Sequence, residues 1–136
     1  MEQEQVRLYM RDVAYGAFRE AVANAGQVLA WYREYREPAP LERGYRELDW
    51  VLTEHALLRI EIVPTAIDIS TFMRAHFSRI TRYYRIVQGA EGYQRVLNRV
   101  VIKCANGETC EMMRPLDEVM DKVKVEDFAR LAELLG

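Results

Sequence analysis

Cysteine is scarce in this chain. Two residues in 136 are too few for a disulfide framework, so a reducing cytoplasm is the expected compartment. Long apolar runs are missing, so no bilayer-spanning helix can be drawn from the sequence and no membrane role is expected. The first thirty residues carry Glu2 and Glu4 where an export signal would start basic, and they contain no smooth apolar stretch, so no such signal is expected. Catalytic signatures are equally thin. The only serines, Ser70 and Ser78, lie outside any nucleophile-elbow pattern, and there is no phosphate-binding glycine loop or dinucleotide fingerprint. The only histidines, His55 and His76, stand in no metal-ligand spacing. A site built from His55, His76, Cys104 and Cys110 would lack any closely spaced ligand pair, and His76 beside Phe77 reads as a partly buried structural residue. No cofactor and no metal are expected, and an enzyme would have to assemble an acid–base dyad from distant residues.

What is present points to one folded domain. Half of the residues are hydrophobic and 29% are charged, which argues against global disorder in a chain of this length. Nineteen basic against twenty-one acidic groups give a net charge of -2, which excludes a uniformly cationic polyanion binder. Arginine outnumbers lysine sixteen to three; this suits a GC-rich or warm-growing source, and a phage-encoded or a host accessory factor would fit equally.

Residues 4–36 read as one long amphipathic helix, because Val6, Met10, Val13, Ala17, Ala21, Val28, Tyr32 and Tyr35 recur mostly at three- and four-residue steps. Gly16 and Gly26 weaken it, with a kink expected near Gly26. Pro38 and Pro40 end it and open a linker over 38–44. Residues 46–63 fit a hairpin better than a helix: Leu58, Ile60 and Ile62 face one way, and Arg59 and Glu61 face the other until Pro64. The intervening residues 53–56 are a poor turn sequence. Asp68 or Ser70 can cap a short helix over 71–81 with Met73, Phe77 and Ile80 inward. A strand follows over 82–87, then a Gly89-Ala90-Glu91-Gly92 turn and a strand over 93–104. Asn106-Gly107 predicts a type I′ hairpin turn. A two-residue loop there sets Cys104 against Thr109, whereas a three-residue loop sets Cys104 against Cys110; free thiols are the expectation. Pro115 opens a short helix with Val119 and Met120, and a last helix carries Phe128, Leu131 and Leu135.

Charge is sharply segregated. Residues 69–107 hold seven basic groups and one acid, Glu91, between flanks that are each net acidic. Phe72, Phe77, Tyr83, Tyr84 and Tyr93 interleave with those cations. Arginine among tyrosines is the composition that phosphate contact and base stacking require; an acidic protein patch is the stronger external partner, and pairing of these arginines with the acidic flanks of the same fold is the plainer reading. Arg95, Arg99 and Lys103 are spaced by four, which places them on one face of either a strand or a helix. Trp31, Tyr32 and Tyr35 are potential aromatic anchors, with core packing expected for at least two of them. The loop at 89–92, with Ile86 and Val87 before it and Val96 after it, resembles the GXXG loop of KH RNA-binding domains. In that family the loop clamps a nucleic-acid backbone and leads into a helix. Here Glu91 sets a negative charge in the loop and strand-forming residues follow, so a plain hairpin turn is the better reading.

The expected fold is therefore α+β. It is a single domain over 1–136 in which a long N-terminal helix packs on a mostly antiparallel sheet, with an α+β body over 45–136 and short C-terminal helices. The expected function is non-catalytic: an adaptor or regulatory protein docking on a larger assembly, with a nucleic-acid-handling machine such as a transcription complex as leading partner. The expected partner-binding residues are Arg74, Arg79, Arg82, Arg85, Arg95, Arg99, Lys103, Tyr83 and Tyr84. Direct nucleic-acid binding is the alternative, and a small enzyme without a motif is third.

Overall fold

Antiparallel strands, not a long helix, dominate the computed structural model, which describes residues 12–37, 46–63, 65–115 and 122–136. In chain order the elements are α1 (Asp12–Val22), β1 (Val28–Glu37), β2 (Arg46–Thr53), β3 (Ala56–Val63) and β4 (Ala66–Met73). A single 3-10 turn (Arg74–His76) leads to β5 (Phe77–Gly89), β6 (Gly92–Cys104), β7 (Thr109–Met113) and α2 (Lys122–Leu134). The strands form two sheets, β1-β2-β3-β4 and β5-β6-β7, with each neighbouring pair antiparallel.

The layers follow from which residues are apolar. Ala14, Tyr15, Phe18 and Val22 recur at helical spacing on α1 and pack on one face of the four-stranded sheet, against Trp31, Val51, Leu58, Ile60 and Ile62. The other face, with Tyr32, Leu48, Trp50, Leu52 and Leu57, meets the three-stranded sheet through Val100, Ile102 and Met112, and meets α2 through Phe128, Leu131 and Leu135. Strand β2 is thus covered on both sides. Each fully buried aromatic or aliphatic side chain there contributes roughly 1.5–3 kcal/mol.

The long helix over 4–36 is overturned where it can be seen. Helix α1 ends at Val22, and from Val28 the chain is a strand paired with β2. Gly26 makes the break, with φ +85, a region that other residues enter at a cost. Trp31 and Arg33 turn to the α1 side while Ala30 and Tyr32 turn to the other, and all four are buried. With both faces of β1 covered, no period-two alternation marks it, and the spacing of Val28, Tyr32 and Tyr35 imitated a helix. Trp31 and Tyr32 are core residues, as expected for two of the three aromatics.

The hairpin over 46–63 is present as β2 and β3, joined by Glu54-His55. Its poor turn sequence is closed from outside. His55 N donates to Ala25 O at 3.0 Å, Glu54 N donates to Gln27 O at 3.0 Å, and the Thr53 hydroxyl donates to Ala25 O at 2.6 Å. A Cβ on Gly26 would lie 2.8 Å from Glu54 Cβ, so this docking depends on glycine.

The helix expected over 71–81 is replaced by the end of β4, the short 3-10 turn and the start of β5. Phe77 and Ile80 do pack inward, but Met73 is exposed. The loop after β6 is also corrected. Gly107 alone has positive φ, at +92, so Asn106 does not adopt the type I′ geometry. The loop is Ala105-Asn106-Gly107, closed by Gly107 N to Cys104 O at 3.0 Å and Cys104 N to Glu108 O at 2.8 Å. It begins one residue earlier than a Cys104–Cys110 pairing needs: Cys110 opposes Ile102, and both thiols are free and buried. The last helix is found with Phe128, Leu131 and Leu135 buried as expected. The linker at 38–44, Pro64 and the helix of Val119 and Met120 lie outside the described residues.

Candidate basic and aromatic ribbon

Strands β5 and β6 are each 13 residues long, whereas β7 pairs only with residues 99–103 of β6. Residues 84–89 and 92–97 therefore continue past the three-stranded sheet as a two-stranded ribbon, about 20 Å long at roughly 3.3 Å per residue. The turn at Ala90-Glu91 closes it, with Gly89 opposite Gly92; the segment resembling a GXXG loop is a hairpin tip.

Register assigns each side chain to a face. From Arg79 opposite Lys103 to Tyr83 opposite Arg99, the pairing is regular. Tyr84 then pairs with Leu97, so Asn98 is an extra residue in β6. The bulge reverses the alternation of β6. Arg99 and Lys103 lie on the outer face with Arg79, Tyr83 and Arg85, whereas Arg95 lies on the inner face with Arg82, Tyr84, Ile86 and Tyr93. The expectation that Arg95 shares a face with Arg99 and Lys103 is thereby corrected. Two ring contacts agree with this division: the Arg99 guanidinium lies 4.0 Å from the Tyr83 ring centre, and that of Arg95 lies 5.3 Å from Tyr84.

The nine expected site residues divide further by what they already hold. Arg74 donates to Thr53 O and Glu54 O, each at 3.3 Å, and to Leu134 O at 3.1 Å. Arg82 donates to Ala132 O at 3.1 Å. These two guanidiniums satisfy carbonyls at the carboxyl end of α2, where positive charge is favoured. Arg99 approaches Glu111 at 3.5 Å on the outer face. Arg79, Arg85 and Lys103 are exposed on that face and have no ion-pair partner among the described residues.

The inner face joins two of the aromatics that the sequence marked to an isoleucine that it did not. Tyr84, Ile86 and Tyr93 are exposed to 48%, 73% and 77%, the first two on β5 and the third on β6, all on the same face of the ribbon. At its base a cleft of about 310 Å³ opens between the ribbon and α2, lined by Arg82, Tyr84, Leu97, Ala129, Ala132 and Glu133. Ile86 was invisible as a site residue because an isoleucine in a strand reads as core. Only the pairing, which runs past β7, shows that nothing in the described fold covers it.

The other chemically distinctive cluster is internal. Arg33 Nε lies 2.8 Å from Asp49 Oδ1 and Arg33 Nη2 lies 3.0 Å from Glu47 Oε2, all three side chains being buried. Burial pushes the Asp49 carboxyl up to about 8 against the opposing pull of Arg33. Glu34 is also raised by burial; its Oε1 accepts Met113 N at 2.7 Å and Trp50 Nε1 at 3.2 Å. These groups join strands and sheets, and the Asp49 side of the cluster is closed to solvent. Burial raises both thiols, Cys110 to about 12, which keeps them protonated. Among the described residues no group of three or more histidines, cysteines and carboxylates could hold a metal ion, and no helix is long and apolar enough to cross a membrane. The chain matches no protein-family model, no curated protein and no solved structure.

Proposed function

We propose that the chain is a non-catalytic adaptor or regulatory protein that docks on a protein partner through the inner face of its ribbon. The observation that carries this reading is the row Tyr84, Ile86 and Tyr93, held out on an arm and exposed although large and mostly apolar. Such a row adds little to folding, whereas covering it would contribute roughly 1.5–3 kcal/mol per side chain, the scale of interface hot spots. Arg82 and Arg95 border the row, so the fitting partner presents an apolar pocket with an acidic rim. A cytoplasmic nucleic-acid-handling assembly, a transcription complex foremost, combines such acidic surfaces with the basic ones the rest of the ribbon would avoid.

The test compares variants in a nuclease-treated lysate of the source organism. Wild type and the Arg79→Ala/Arg85→Ala double variant should retain the same protein partner, and Ile86→Ser/Tyr93→Ser should lose it while melting as wild type does. Retention by the Ile86→Ser/Tyr93→Ser variant would refute the reading.

A further inference from the structure

We infer that the outer face of the ribbon and its sheet binds the backbone of double-stranded DNA without regard to sequence. This rests on a different face from the protein-docking reading and does not depend on it. The outer face brings together Arg79, Arg85, Arg99 and Lys103. Among the described residues its acids are few: Glu111, which faces Arg99, with Glu108 in the turn beyond Lys103 and Glu91 at the tip. The Arg99–Glu111 pair is exposed and long, a contact of little strength that a phosphate can displace.

Spacing favours a duplex. Arg79 and Arg85 are six residues apart on β5, about 20 Å, and Lys103 sits directly across from Arg79. A DNA duplex carries one charge per roughly 1.7 Å of axis, so cations spread over that length each meet phosphate. Two strands are also about as wide as the B-form major groove admits. Stacking of single-stranded bases is disfavoured here. The one aromatic residue of the outer face among the described residues, Tyr83, already has a guanidinium 4.0 Å from its ring, so it offers no open platform. Guanidinium groups standing out along one face of a strand pair suit bidentate phosphate contact instead.

The experiment is fluorescence anisotropy with a labelled 20-base-pair DNA duplex of arbitrary sequence, an equal-length single strand, and an RNA duplex as competitor. Four phosphate contacts predict a slope of log affinity on log salt near about -3.6, roughly a 150-fold loss between about 50 and 200 mM. Arg79→Ala/Arg85→Ala should halve that slope, to about -1.8, with an unchanged urea midpoint. Ile86→Ser/Tyr93→Ser should leave it at the wild-type value. Undetectable duplex binding at the lower salt would overturn the inference, as would a wild-type slope shallower than about -1 or an unchanged slope in the arginine double variant. Tighter binding of the single strand or of duplex RNA would overturn it as well, and so would a slope that falls on substitution of Ile86 and Tyr93.

Discussion

One carboxylate oxygen joins the two sheets, and its removal has a calculable cost. Glu34 Oε1 accepts Met113 N at 2.7 Å from β7, Trp50 Nε1 at 3.2 Å from β2 and the Tyr32 hydroxyl at 3.4 Å from its own strand. In Glu34→Ala, the Tyr32 hydroxyl keeps Met113 O as an acceptor at 3.1 Å. The Met113 amide lies where water reaches it, so its loss is small. The Trp50 indole N–H is different, because that side chain is wholly buried and a stranded donor costs about 1–3 kcal/mol. With the packing lost around it, Glu34→Ala should destabilise the domain by about 2–4 kcal/mol, a large part of a typical total of roughly 5–15 kcal/mol. Glu34→Gln keeps a carbonyl oxygen in place and discards a charge that burial already disfavours, so it should cost about 1 kcal/mol or less. Urea unfolding followed by fluorescence reads both, since Trp31 and Trp50 are the only tryptophans and both are buried. Equal losses for Ala and Gln, or an Ala variant within about 0.5 kcal/mol of wild type, would refute the bridging role.

The buried acid Asp49 makes stability depend on pH. Its carboxyl ionises near 3.8 when unfolded and at about 8 when folded, so between those values the folded chain holds a proton that the unfolded chain has released. Stability contributed by that proton is therefore lost as pH rises through this window, at no more than about 1.4 kcal/mol per unit, and is flat above it. Asp49→Asn, which cannot ionise and keeps an acceptor for Arg33, should flatten the decline in urea midpoint; a midpoint that climbs from pH 5 to 8 in wild type would contradict this. Gly26→Ala should cost more than Gly107→Ala, because both residues have positive φ but only at Gly26 does a Cβ meet another atom, at 2.8 Å. Equal urea midpoints for the two would remove the proposed docking of the Glu54-His55 turn on Gly26. Thiol reagent should react slowly with native protein and count two thiols after unfolding without reductant, since Cys104 and Cys110 are free, buried and raised in pKa. A rapid native reaction of both would contradict their burial.

What the sequence made legible depended on whether a segment kept one wet face. Strand β3 alternates visibly because Leu58, Ile60 and Ile62 are buried while Arg59 and Glu61 stay partly exposed. Strand β1 is enclosed on both faces, so its apolar residues fell at helical steps by coincidence and concealed the end of α1. The ribbon was legible as a block of arginine and tyrosine with two turn signals. Its division into two faces was not, because one extra residue, Asn98, reverses the alternation and nothing in composition announces a bulge. The roles of Arg74 and Arg82 were equally hidden, since the α2 carbonyls they satisfy belong to residues 50 or more positions away.

Neighbouring residues on opposite faces permit a direct test of the two-faced ribbon. Arg85 points outward and Ile86 inward. A photo-crosslinking benzoylphenylalanine placed at position 86 in source cells should yield a protein adduct that survives nuclease. The same residue at position 85 should yield an adduct that nuclease shortens. Identical adducts from both positions, or no protein adduct at 86, would contradict the account.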